Sequence, residues 1–522
     1  MSDNSARESA SEIEERRTKL AKLRKKDDPY KRRFGKTHMI GEIEEKAKKL
    51  KPGAKLAKAK VAVAGRVRSI RKHGRLVFAD LQDSSGKIQL FLEEKTLGPS
   101  KFGFFDGFLN TGDIIGAKGS VFRTKRGELS VWVEDFELLT KSLLPFPKEW
   151  FGLRDKELRY RKRHVDLILN PDVRKTFDTR SKIMQAIREF MAGKGFVEVE
   201  TPILQPIYGG AAARPFESRL NALDMKVYMR ISNELYLKRL IVGGYEKIFE
   251  FSRDFRNEGI DKLHNPEFTQ VETMWAFADY NDNMKFCEEM VSFMARKVLG
   301  KTKLVYQGTV IELKPPWKRV RFIDAIKEHA KIDFEKLEKF EDAKKVAGKL
   351  GIDETKLAKC ETWGEVAILV FEEMVQPKLI QPTIVYDYPA EAAGLAKIKK
   401  DDPRFAESFE PIINGWEMGL SYCEENDPER LRAYWQEAEK EFRRGDEEAQ
   451  RFDEDFVEAL EYGMPPTSGL GVGIDRLAML LTDSLSIRDV ILFPFMRPEA
   501  QEKKEEKKAK DGKGIETLGD IV

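Results

Sequence analysis

Between Val61 and Leu139 apolar and polar residues alternate in five short runs: VAVAGRVRSI, RLVFADLQD, KIQLFLE, DIIGAKGSVF and ELSVWVEDFELL. A period of two is the strand period. Turn residues separate the runs at Lys72-His73-Gly74, Ser84-Ser85-Gly86 and Lys125-Arg126-Gly127. Five short strands so punctuated predict a small β-barrel, with the OB-fold as the candidate architecture. A small β-domain that touches no nucleic acid would show the same pattern.

Beyond the barrel the pattern changes. LLPFPKEW reads as a linker, and a basic, aromatic segment, LRDKELRYRKRHVDL, follows it. Asn170-Pro171-Asp172 predicts a helix start, with a capping residue before proline at the first helical position. That helix continues through IMQAIREFMAG to Gly193 or Gly195, and FVEVETPIL reads as a strand. Strands and helices then alternate with hairpins rather than a regular βαβ rhythm. Residues 322–378 read as mainly helical and as an insertion. Before the barrel, RRTKLAKLRKK and EEKAKKLKPGAK suit a solvated helix, a disordered segment, or a basic arm that adds nonspecific nucleic-acid affinity. The predicted division is a charged helical extension (1–57), the barrel (58–142), a linker (143–170), an α+β domain (171–498) and a low-complexity, disordered tail (499–522).

Composition narrows the class. At 522 residues, with 41% hydrophobic and 35% charged, the chain suits two or more well-solvated domains. No run approaches the ~18 apolar residues of a membrane span, and MSDNSARESASEIEERR lacks the apolar core of a secretory signal. Cys287, Cys360 and Cys423 lie far apart without metal-like spacing, which suits a reducing cytoplasm. Net charge is only +4, so any nucleic-acid binding rests on local patches.

Three segments carry candidate chemistry. In KIFEFSRDFR, residues 247–256, alternation puts Phe249, Phe251 and Phe255 on one face and Glu250, Ser252, Asp254 and Arg256 on the other. The loop NEGIDKLHNPE leads to FTQVETMWAF, where Phe268, Gln270, Glu272 and Met274 share a face. An arginine fork suits phosphate and an aromatic face suits a nucleobase, although an ordinary hairpin with a charged outer face has the same pattern. In SGLGVGIDRLAMLL, Gly469, Gly471 and Gly473 precede a helix without the βα unit of a dinucleotide site. Those glycines allow close backbone approach to a flat ligand, and Arg476 on the first helical turn suits stacking on a base. Between Phe409 and Glu424, Glu410, Glu417 and Glu424 interrupt apolar residues. A pair of them would suit magnesium, and exposed edge carboxylates are the alternative. Glu417 and Glu424 differ in parity, so a bulge near Gly419 would be needed to bring them to one face.

Together these motifs resemble the class II aminoacyl-tRNA synthetases of the lysyl type. GFVEVETPIL, FRNEG with HNPEFT, and GLGVGIDRL resemble the three ordered signatures of the class. RISNELYLKRLIVGGYEKIFEFSRDFRNEG and ALEYGMPPTSGLGVGIDRL with IRDVILFPFMRP resemble the lysyl group over about residues 10–498. The resemblance implies an antiparallel catalytic sheet flanked by helices behind an anticodon-binding OB-fold, and a cytoplasmic homodimer that uses ATP, magnesium, lysine and tRNA(Lys). It implies Arg256 and Arg476 as catalytic residues, with Arg256 on the α-phosphate and Phe268 and Arg476 around adenine. His264 and Asn265 would lie near ATP, and Glu410 and Glu417 would hold magnesium. Gly210, Glu234 and Glu272 would meet the α-amino group. Glu424, with Tyr422 beside it, would meet the ε-ammonium. Arg66, Phe78, Gln89 and Glu128 would read the anticodon.

Two positions depart from the lysyl pattern. Met274 stands where the family has tyrosine, and Leu420-Ser421-Tyr422-Cys423-Glu424 stands where it has Asn-Gly-Phe-Ser-Glu. Lost polar contacts to substrate change specificity. A paralogue for β-lysine or ornithine therefore remains a second reading, and a non-catalytic tRNA-binding regulator a third.

Overall fold

The computed structural model describes residues 3–146, 155–337, 339–443 and 451–498. The chain divides into two units, Met1–Trp150 and Phe151–Val522. Expectations for residues 147–154 and for the 499–522 tail lie outside the described residues.

In the first unit the alternating runs form β1 (Lys55–His73), β2 (Leu76–Gln82), β3 (Lys87–Glu93), β4 (Ile114–Arg123) and β5 (Leu129–Thr140). They close a barrel in the order β1-β2-β3-β5-β4. Val77, Ala79 and Leu81 fill its interior, while Phe78 and Gln82 stay partly open on the outside. The charged extension is not wholly solvated. Its helix α1 (Asp3–Arg24) buries Leu23 in the barrel core, and Arg16 is buried with Glu12 as its partner at 2.7 Å. Burying one such leucine contributes roughly 1.5–3 kcal/mol.

In the second unit the basic segment after the linker is helical over Lys156–Arg161 and Arg163–Leu169, and Arg163 is buried against Asp166 at 2.7 Å. Helix α2 (Pro171–Gly193) starts at the expected proline, but the Asn170 side chain does not cap it: its amide donates to Asp166 Oδ1 at 2.6 Å. FVEVETPIL is not one strand. Val197–Glu198 (β6) joins the main sheet, and Leu204–Gln205 joins a separate three-stranded sheet. Pro202, which has no N–H to donate, lies between them.

The main sheet is completed by β7 (Lys247–Phe255), β8 (Glu267–Ala276), β9 (Lys318–Arg321), β10 (Thr383–Tyr386), β11 (Ser408–Ile413), β12 (Gly419–Cys423) and β13 (Thr467–Gly473). Its order is β9-β10-β11-β12-β13-β8-β7-β6, with Trp416–Glu417 paired to β11. Only β9–β10 and β6–β7 are parallel. One face, with Phe249, Val271, Leu470 and Val472, shares a core with helices α2, α4 (Tyr280–Leu299) and α5 (Ile474–Leu481). Against the other face packs helix α3 (Glu234–Val242), through Leu235, Leu237 and Ile241. Between β9 and β10 the chain forms helices that share a core of Phe322, Phe334, Val366 and Phe371.

Candidate active site

Phe268, Gln270, Glu272 and Met274 of β8 all line a cavity of about 410 Å³ on the α3 side of the sheet. Met274 and Tyr422 flank Gly469 in register across β8, β13 and β12. Gly469 leaves room for the Glu424 carboxylate. A Cβ there would collide with a Glu424 carboxylate oxygen and come within 3.1 Å of Met274 Sδ. Gly210, on the cavity wall, adopts a left-handed φ of +84°, and its Cβ would fall 3.0 Å from Ser232 Oγ.

One end of the cavity is acidic. Glu234 opens α3, and one turn later Lys238, 1% exposed, donates to Glu234 Oε1 at 2.5 Å and pairs with Glu424 Oε2. The Tyr422 hydroxyl points inward and donates to Glu234 Oε2 at 2.7 Å. Glu272 is buried beside them and accepts from Gln270 Nε2 at 3.2 Å. Burial pushes the Glu424 carboxyl up to about 8: Lys238 opposes the rise and Glu234 adds to it. Burial and then the charges of Glu234, Asp254 and Glu424 hold Glu272 well above the carboxylate range. Lys238 is desolvated too, yet its two carboxylate partners keep its pKa above the lysine range. Three carboxylates thus face one ammonium.

The other end is basic and aromatic. Arg256 follows β7, and its N–H donates to Pro266 O at 2.9 Å, closing the intervening loop. Its guanidinium lies 5.2 Å from the Phe268 ring centroid. Asp475, held by Arg180 at 2.8 Å, accepts from Thr269 N at 2.7 Å and so ties α5 to β8. Arg476, on the next position of α5, contacts Glu417 and lies 3.2 Å from His264 Nε2. His264 Nδ1 in turn lies 2.8 Å from Asp261. Asn265 is buried, with its amide donating to Glu267 O at 2.6 Å. Glu417 and Glu424 both line this cavity despite their opposite parity, because the strand is interrupted at Met418.

Glu410 lines an adjoining cavity that shares Glu417, Tyr422 and Arg476 as walls. Its carboxylate accepts from Tyr388 at 2.8 Å. Burial and the nearby Glu417 charge hold it well above the carboxylate range. Among the described residues no group of three or more His, Cys, Asp or Glu side chains is set to hold a metal ion.

Some expected neighbours are elsewhere. Glu250, Ser252 and Asp254 share a face, but they are buried away from the cavity. Glu250 and Asp254 hold the buried Arg230 at 2.7 and 3.2 Å, and Asn233, at the head of α3, donates to Glu250 at 2.9 Å. In the barrel, Phe78 pairs with Phe91, and Phe91 with Trp132, giving ring centroids 5.3 and 5.1 Å apart. Gln89 accepts from Ser130 Oγ at 3.0 Å, and Glu128 is exposed just before β5. Arg66 is not with them. It pairs with Gln82 while Phe78 pairs with Arg71, and it donates to Gly112 O at 2.7 Å. Four residues of β2, from Phe78 to Gln82, separate the two pairs, roughly 13 Å. Sequence reading missed Lys238, Phe91 and Trp132. A lysine one turn after a glutamate in the apolar run ELYLKRL was the available signal for the first. The alternation of KIQLFLE and ELSVWVEDFELL held the other two.

The sequence pattern of the tRNA synthetases class II (D, K and N) matches residues 155–497, and that of the OB-fold nucleic acid binding domain matches residues 61–139. The lysine–tRNA ligase of Pelotomaculum thermopropionicum is 51% identical over 484 residues, covering 92% of this chain and 94% of its own. That of Carboxydothermus hydrogenoformans is 50% identical, covering 93% and 98%. That of Thermoanaerobacter pseudethanolicus is 52% identical, covering 84% and 87%.

Proposed function

This chain belongs to the class II tRNA synthetases (D, K and N), and from that premise we propose that it is a lysine–tRNA ligase. It activates lysine with ATP and transfers it to the 3′ end of tRNA(Lys). The observation that carries this reading is the charge of the pocket. Among the described residues Glu234, Glu272 and Glu424 gather around Lys238 at one end, and Arg256 stands at the other. An acidic end suits a substrate with two ammonium groups and repels an acidic amino acid.

In the proposed reaction the lysine carboxylate attacks the α-phosphorus of ATP, and pyrophosphate leaves. The ribose 3′-hydroxyl of the tRNA then takes the lysyl group. No side chain acts as nucleophile. Arg256 orients the α-phosphate and offsets charge that grows on its oxygens. Phe268 and Arg476 hold the adenine, with His264 and Asn265 near the phosphates. Gly210, Glu234 and Glu272 receive the α-ammonium, and Glu424 the ε-ammonium. Glu410 and Glu417 would hold magnesium: burial and then the Glu417 charge make Glu410 resist ionising, which a cation would relieve. That ion would supply charge neutralisation to the triphosphate.

The barrel would read the anticodon by stacking on Phe78, a reading supported by the adjoining Phe91 and Trp132 rings. A cytoplasmic homodimer is part of the proposal. Exposed Val197, Ile203, Leu204 and Leu223 supply apolar surface for pairing, Leu223 at 68% exposure. No helix among the described residues is long and apolar enough to cross a membrane.

Met274 and Leu420 motivate the second reading, activation of β-lysine or ornithine. Tyr422 weighs against it, because it returns a hydroxyl to the pocket from β12, across β13 from Met274. ATP–pyrophosphate exchange over a panel of amino acids tests both. Exchange with β-lysine or ornithine but not lysine refutes the lysine reading, and exchange with none refutes both.

A further inference from the structure

We propose that Lys238 is a positioning residue for amino-acid selection, its ammonium holding Glu234 and Glu424 together at the pocket and offsetting their charge as an ammonium substrate is received. The inference rests on the lysine-ligase reading above. Lys238 does not itself line the cavity: its side chain is 1% exposed and absent from the lining. Its ammonium instead joins two carboxylates from distant parts of the chain, Glu234 on α3 at 2.5 Å and Glu424 just beyond β12. Glu234 and Lys238 are one helical turn apart, so α3 itself sets where the ammonium stands. The remaining Glu234 oxygen takes the Tyr422 hydroxyl at 2.7 Å, and Tyr422 presents its ring 5.7 Å from Lys238 Nζ. Lys238 and Tyr422 thus engage both Glu234 oxygens, and both carboxylates stand among the lining residues of the cavity.

The surroundings explain why a resident cation is needed. Burial and then the charges of Glu234, Asp254 and Glu424 hold Glu272 of β8 well above the carboxylate range, so negative charge is crowded here. Asp254 is itself offset by Arg230 and, more weakly, by Arg256. Tyr434 lies near enough to feel the Glu234 charge. Without Lys238, buried Glu234 and Glu424 would converge with no countercharge, and one would keep a proton. A protonated carboxyl donates where an ammonium needs an acceptor. Amino-acid binding would suffer while the Arg256 end, which takes ATP, would not.

The test uses the full-length chain carrying Lys238→Met, which keeps an unbranched stem and removes the charge. ATP–pyrophosphate exchange is measured from pH 6 to 9 with lysine and ATP varied in turn. The expected result is a lysine KM raised at least tenfold at pH 7 with the ATP KM within twofold. The acid limb of the lysine profile should also move up by a pH unit or more, because Glu424 loses the ammonium that now opposes its burial. Lys238→Arg, which keeps a cation, should leave that limb where the unmutated protein has it, and it serves if Lys238→Met does not fold. An unmoved limb in folded Lys238→Met overturns the proposal. So does a moved limb in Lys238→Arg, or a parallel rise of both KM values with a lowered melting temperature, which marks a purely structural role. Absence of lysine-dependent exchange in the unmutated protein would instead overturn the ligase reading on which the inference stands.

Discussion

Lysine binding should weaken steadily as pH falls below about 8. Glu424 is 1% exposed, and burial holds its carboxyl at about 8 even with Lys238 opposing the rise. In the unliganded protein near neutral pH Glu424 therefore holds its proton more readily than an ordinary carboxyl does. Pairing with an ammonium requires the anion, so binding releases that proton. Raising the pH favours the proton-free bound state, and affinity rises by up to about one decade per unit until about pH 8, then levels. Between pH 8 and pH 6 the lysine KM should increase by roughly tenfold or more. The ATP KM should change little. The raised pKa also sets a stability trend of defined sign. The unliganded fold binds this proton more tightly than the unfolded chain does, so it loses stability as pH rises from about 4.5 toward 8, and bound lysine reverses that loss. Exchange kinetics at constant ionic strength give the KM profile. Calorimetric titration in buffers of different ionisation enthalpy gives the proton count, expected near one at pH 7. A lysine KM that is flat from pH 6 to 8, with a buffer-independent binding enthalpy, would show that Glu424 is already ionised and refute the reasoning.

Arg256→Ala should abolish adenylate formation with the fold retained, since transition-state charge loses its fork, and unchanged pyrophosphate exchange would contradict that. Gly469→Ala should cost about 3 kcal/mol or more by driving the Glu424 carboxylate off Lys238. It should appear as a lysine KM raised about 100-fold with a near-normal ATP KM, and unaltered lysine kinetics would disprove it. Phe78→Ala and Trp132→Ala should each raise the tRNA KM and leave pyrophosphate exchange intact, and loss of exchange instead would give the barrel another role. Leu204→Asp, placed in the exposed apolar segment, should convert a dimer to monomer by mass measurement in solution, and an unchanged mass moves the contact elsewhere.

Local periodicity determined a good part of this protein. The five barrel strands fall where alternation puts them, and Phe268, Gln270, Glu272 and Met274 face one way because strand geometry obliges residues two apart to do so. The helix at Pro171 and the arginine on the first turn after Gly473 were legible for the same reason: each depends on neighbours within a few residues. Periodicity names two faces without saying which meets solvent, core or pocket. That is why Glu250 and Asp254, read as part of a possible ligand surface, prove to be the buried anchorage of Arg230, with Ser252 donating to Asp254. It is also why Arg66 and Phe78, both on the outside of the barrel, stand apart along it. Glu417 and Glu424 line one cavity only because the chain breaks its strand at Met418, which parity cannot express. The pairing of Lys238 with Glu424 was beyond sequence reading altogether. Buried charge is tolerated only where an opposite charge stands within a few ångströms, and only the folding of β12 and β13 beside α3 brings that partner from a distant part of the chain.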